Sequence, residues 1–121
     1  AQQARDLLRD EYTDVLASCD AVLTPVAPSV AFRLGEKTDD PMAMYMGDLY
    51  TVTANLTGLP AISVPCGHVL EHGDTLPVGM SLLGAKNSMQ TLLTIAYVYE
   101  NAMKPNAGIR PYELLKGGAT A

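Results

Sequence analysis

Residues 39–65 read DDPMAMYMGDLYTVTANLTGLPAISVP, and this stretch constrains the fold more than any other. It spells one helix, a tight stop and one buried strand. Asp40 can cap a helix start with its carboxylate, and Pro41 suits the first helical position. Asn55, Gly58 and Pro60 supply stop signals. Ala61 to Val64 is a short apolar run between two prolines, the pattern of a buried strand. Within the helix, Met42, Tyr45, Leu49, Val52 and Leu56 recur at steps of three and four, which predicts one face packed on a core. Met44, Asp48, Thr51 and Asn55 form a neighbouring, mostly polar stripe. Asp48 is an acid in the middle of an otherwise apolar helix. Either it faces water, or it stands at the edge of a cleft to hold a cation or a donor group.

The flanking chain supplies further elements. Residues 1–16 read as a helix with Ala4, Leu7, Leu8, Tyr12 and Val15 near a 3.6-residue period. Arg5, Asp6, Arg9, Asp10 and Asp14 populate its other side as a solvated, charged face. Ala21 to Thr24 is an apolar run consistent with an inner strand. Pro25 and Pro28 then interrupt ladder pairing and turn the chain into a loop over 29–39, with Gly35, Thr38 and the Asp39–Asp40 pair as turn chemistry. Pro77 to Gly84 reads as a second strand, antiparallel to Ala61–Val64 through a hairpin. Asn87-Ser88 with Gln90 resembles a capping box, and Met89, Leu92, Leu93, Ala96, Tyr99 and Met103 mark the buried stripe of a last helix. Pro105 ends that helix, and 105–121 read as a tail in which Pro111 to Lys116 can form a short helical turn. The order helix, strand, helix, strand, strand, helix gives an α/β fold, a mixed sheet flanked by helices, over residues 1–104.

Composition narrows the function. A chain of 121 residues suits one domain with a real core. With 48% hydrophobic residues and a mean hydropathy of +0.10, it is apolar for its size, which suits a piece burying one face against something else. Standing alone, such a piece is expected to self-associate through exposed apolar surface and sheet edges. The net charge of −5, with no run of Lys or Arg, argues against a nucleic-acid-binding surface. Cys19 and Cys66 lie in no metal or redox spacing and are expected to be buried free thiols. His68, Glu71, His72 and Asp74 invite a metal reading, yet Gly67 and Gly73 bracket them in what looks like a hairpin connection. The expectation is no metal. Cys66 has no partner base at a fixed offset, so it is not expected to act as a nucleophile. No apolar run approaches a membrane span and no signal peptide opens the chain, so a cytoplasmic setting without membrane contact is expected. The chain opens inside a helical pattern, with no Met and no cap, as a segment of a longer protein would.

The series Asp40-Pro41-x-x-Met44-Tyr45-x-x-Asp48-x-Tyr50-Thr51, followed by Asn55-Leu56-x-Gly58-Leu59-Pro60-Ala61-Ile62-Ser63-Val64-Pro65, resembles the C-terminal part of the amidase-signature family. Asp20-Ala21-Val22-Leu23-Thr24-Pro25-x-Ala27-Pro28 is similar to that family's segment leaving a central strand for the site. Within the family the likeness is greatest to the A subunits of the glutamyl/aspartyl-tRNA(Gln/Asn) amidotransferases, over about Arg5 to Glu100. Ser81 departs from the pattern, where the family usually has Gln.

The resemblance implies a function in two parts. The family hydrolyses amides with a Ser nucleophile, a second Ser in a cis peptide and a Lys, carried by a Gly/Ser-rich segment. Nothing like that segment occurs here, where the lysines are Lys37, Lys86, Lys104 and Lys116. A nucleophile needs a base within reach and an oxyanion hole, so no catalytic residue is expected in these residues. What remains is substrate binding: by position, Asp48 matches the acid that holds the α-ammonium of glutamine, the ammonia donor. The Arg that takes the α-carboxylate would precede residue 1. Partners implied by the likeness are the N-terminal part of the same polypeptide, the B and C subunits, and tRNA reached through a partner that uses ATP and Mg. No cofactor is implied for this chain. A stand-alone amidase of the same family and a catalytically inert interaction module are the alternatives.

Overall fold

The computed structural model describes residues 2–36 and 40–104. The turn chemistry expected at Thr38 and Asp39, and the tail from Pro105 with its helical turn, lie outside them. Seven elements follow in order: α1 (Gln2–Leu16), β1 (Val22–Pro25), α2 (Pro41–Gly47), α3 (Val52–Thr57), β2 (Ala61–Glu71), β3 (Asp74–Leu83) and α4 (Met89–Met103). The strands form one sheet in the order β1-β3-β2, and both pairings are antiparallel. The expected α/β architecture is present, with helices on both faces of this sheet, but the sheet is antiparallel throughout the described residues and not mixed, because β2 and β3 join through a hairpin and β1 pairs antiparallel with β3.

Strand alternation sorts the side chains into two cores. On one face, Val64, Met80 and Leu82 meet Leu92 and Ala96 of α4, with Ile62, Cys66, Ile95 and Tyr99 at the margin. On the other, Leu83 packs with Leu16 of α1 and Leu59, flanked by Tyr12, Val22 and Ala54. Arg9 ties this second layer together, because its Nε donates to the Thr57 carbonyl at the end of α3 (2.7 Å). The charged-face reading of α1 did not anticipate that bond, although Arg9 also meets Asp6 in an exposed pair on that face at 3.4 Å. Of the stripe expected on α1, Tyr12 and Leu8 are half-buried, whereas Leu7 and Val15 are exposed and Leu16 is buried in their place.

The start and stop of the 39–65 stretch form as its residues dictate. Asp40 Oδ1 accepts from the backbone N–H groups of Met42 and Ala43, each at 3.0 Å, with Pro41 opening the helix. Gly58 closes α3 in the left-handed region at φ 69°. Between them the expected single helix is two. Gly47 weakens the helix, and the N–H groups of Asp48 and Leu49 donate only three residues back, to the Tyr45 and Met46 carbonyls, so residues 48–51 form a turn. The break rotates α2 off the core. Met42 is 67% exposed and Tyr45 75% exposed, Leu49 and Val52 are exposed as well, and α2 buries no residue. The core-facing stripe expected here is therefore corrected: this region buries Thr57 and Leu59 instead.

Three further expectations are corrected. β1 is an edge strand of this sheet, not an inner one, and Pro25 sits in its register opposite Met80. An edge strand tolerates proline because one side of its backbone faces no neighbour. Asn87 adopts φ 68° and Ser88 makes no side-chain capping bond, so the capping box is absent; along α4, Met89, Leu93 and Met103 are exposed. Cys19 is exposed in the turn after α1, where its thiol reaches the Val15 carbonyl, and only Cys66 is partly buried.

The β2–β3 hairpin turns through His72 (φ 52°) and Gly73 (φ 88°), with Glu71 opposite Asp74. Two positive φ values make the primed turn that matches strand twist and prefers Asn-Gly. Replacing His72 with Asn is expected to stabilise the chain by roughly 0.5 kcal/mol, part of the ~1 kcal/mol that a non-glycine residue costs in this region. The check is the urea midpoint followed by circular dichroism; an unchanged or lower midpoint contradicts the turn assignment.

Candidate substrate-binding site

Asp48 is the residue around which a site can be built. It ends α2, where its own N–H donates back to the Tyr45 carbonyl (3.2 Å), and its side chain is exposed. It stands on the rim of a cleft of about 280 Å³ between α2 and the loop after β1. Ala43, Met44 and Gly47 form one wall, and Ala27, Ser29, Val30, Ala31 and Phe32 form the other. The prolines that end strand pairing, Pro25 and Pro28, bring that loop to the cleft. Asp48 is the one charged residue in this lining, and its carboxylate takes no hydrogen bond or ion pair among the described residues. A lone anion on a largely apolar rim favours a cationic or strongly donating group beside it. Because Asp48 is open to water here, that attraction is screened, and it strengthens only where further chain closes over the cleft.

A second cleft, of about 180 Å³, opens behind the α2–α3 turn against the sheet. The register Thr24–Ser81–Ser63 sets three hydroxyl residues in one row across the strands, facing Tyr12, Tyr50, Thr51 and Thr53. Ser81, where the resemblance has Gln, fits its strand position and leaves this space open. Sequence reasoning missed this row, whose only signal is a shared strand parity across three separate segments.

The other candidates are not brought together. His68 lies on β2 opposite Pro77 and His72 lies in the turn, so their spacing runs along an extended strand and not along a helix face. Cys66 is the extra residue of a β-bulge between Pro65 and Gly67, and it packs at the margin of the α4 core. No helix among the described residues is long and apolar enough to cross a membrane.

The family model described as Amidase matches residues 1–93. The A subunit of glutamyl-tRNA(Gln) amidotransferase from Anaeromyxobacter sp. (strain K) is 45% identical over 105 residues, 87% of this chain and 21% of that protein. The chloroplastic/mitochondrial A subunit of the same enzyme from Arabidopsis thaliana is 42% identical over 111 residues, 92% of this chain and 21% of that protein. A solved structure described as that of PAM12A superposes with a TM-score of 0.60 at 31% identity, covering 84% of this chain and 20% of that one. The chain thus spans about a fifth of the length of the curated relatives it matches. On the match over residues 1–93, together with these relatives, the chain belongs to the amidase family.

Proposed function

We propose that these residues are the C-terminal segment of the glutamine-hydrolysing A subunit of a tRNA-dependent amidotransferase, and that Asp48 holds the α-ammonium of the glutamine that donates ammonia. The observation that carries this reading is the position of Asp48, a carboxylate with no hydrogen bond or ion pair among the described residues, on the rim of a largely apolar cleft and fixed on backbone at the end of a capped helix. A cationic head group leaving water needs a compensating charge, since an unpaired one costs several kcal/mol. Relatives named as amidotransferase A subunits support the choice of glutamine over a simple amide, which carries no α-ammonium.

In this reading the amide-cleaving serines and lysine, and the arginine for the α-carboxylate, are supplied by the N-terminal part of the same polypeptide. The 121 residues alone are inactive. The B and C subunits complete the assembly, and ATP, Mg and tRNA are handled by one of these partners. The compartment is cytoplasmic. Asp48→Asn in the complete gene product is expected to raise KM for glutamine about tenfold or more, the worth of one charge-assisted hydrogen bond. Steady-state glutaminase kinetics check this. Absence of glutaminase activity, with simple amides cleaved and Asp48→Asn silent on them, supports a stand-alone amidase instead.

A further inference from the structure

We infer that Thr51 is a positioning residue for Asp48, holding the turn that aims its carboxylate into the cleft. This inference rests on the proposed role of Asp48. The Asp48 carbonyl accepts three donors: the N–H of Thr51 at 3.1 Å, the hydroxyl of Thr51 at 3.2 Å and the N–H of Val52 at 3.0 Å. A carbonyl inside a continuous α-helix accepts from one N–H four residues on. Here the Val52 N–H supplies that helical bond, and the Thr51 N–H and hydroxyl add two further donors that pin the Asp48 carbonyl just after the break.

The direction of the Thr51 hydroxyl separates this role from a capping role. Thr51 precedes the first residue of α3, where a threonine ordinarily turns its oxygen toward the N–H groups of the helix that follows. It makes no such bond. The hydroxyl points back to Asp48 instead. Asn55 extends the chain of contacts, its Nδ2 donating to the Thr51 carbonyl at 3.2 Å. The polar residues at 48, 51 and 55 are thus linked in sequence, each side chain donating to the backbone of the one before. Little burial among the described residues does the same work. Space is open around the Gly47 Cα, and Asp48, Leu49 and Tyr50 are all exposed. With the Asp48 side chain exposed among the described residues, the backbone turn sets the direction of its Cα–Cβ bond, and misplacement of a binding group by about 1 Å is costly.

The test is glutamine kinetics of the complete gene product with Thr51→Val, Thr51→Ser, Asp48→Asn and the Asp48→Asn/Thr51→Val double variant. Thr51→Val keeps the shape and removes the hydroxyl. It is expected to raise KM about 3- to 10-fold, the value of one hydrogen bond. Thr51→Ser restores the hydroxyl and is expected to restore KM. In the Asp48→Asn background the valine adds less than about twofold, because residues acting through one group are not additive. If Thr51→Val leaves KM within twofold while Asp48→Asn raises it, the positioning role is wrong and the role of Asp48 stands. If the valine raises KM equally in both backgrounds, its effect does not run through Asp48, and the inference is again overturned. If Asp48→Asn itself is silent, the glutamine-anchor reading falls and the positioning role falls with it.

Discussion

Replacing Leu92 with alanine is expected to cost about 3 kcal/mol, from the 2–5 kcal/mol range for emptying a well-packed leucine site. Leu92 is 0% exposed and stands at the centre of the contact between α4 and the sheet, against Val64, Met80 and Leu82. Its neighbours come from β2, β3 and α4, so the site cannot collapse by moving one side chain. The whole layer would have to close on the void. The core is small, with eight buried apolar residues among those described, so the loss of one is a large fraction of what holds α4 down. Urea unfolding followed by far-ultraviolet circular dichroism, at one fixed protein concentration, measures this. A shift under about 1 kcal/mol means that α4 is not seated on this sheet as described.

Gly84→Ala is the second large effect, expected to destabilise by about 2 kcal/mol through overpacking. Gly84 follows β3, donates its N–H to the Pro60 carbonyl at 2.9 Å, and is buried. A methyl group there would fall on Ser88 Oγ and lie 3.0 Å from Leu92 Cγ and Cδ2. The requirement is steric, because the space a side chain would use already holds the first turn of α4. Ser88 Oγ is itself buried with no hydrogen-bond partner. Removing it in the Gly84→Ala/Ser88→Ala pair is therefore expected to recover part of the loss. The same urea experiment reads this coupling. Equal losses in the single and double variants contradict the assigned contact.

Local chemistry made much of the fold legible. Asp40 and Pro41 state a helix start, Gly58 a stop, and two apolar runs a hairpin, because each depends on residues close in sequence. The break at Asp48 was not legible. The periodic pattern of 42–56 is satisfied as well by two short helices as by one, and the break lies in backbone bonds, where Asp48 and Leu49 donate three residues back instead of four. Burial of that pattern was over-read for a related reason. Periodicity says that a face is apolar, not that a partner is present, and Met42 and Tyr45 have none among the described residues. The Arg9–Thr57 bond joins residues 48 positions apart, a distance that helix patterns do not reach. At the candidate site, Asp48 stood out as an acid on an apolar helix, and Pro25 and Pro28 indicated the loop that faces it. The cleft between them required the fold.

The central claim is that the Asp48 carboxylate recognises an α-ammonium group. The most direct measurement compares kcat/KM for glutamine with that for glutaramate, the same molecule without its amino group, in the complete gene product and its Asp48→Asn variant. The account expects the unmodified protein to favour glutamine by about tenfold or more, the worth of a charge-assisted hydrogen bond, and the variant to lose most of that preference. A preference of the same size in both proteins would contradict it and return Asp48 to the role of a solvated residue at a helix end.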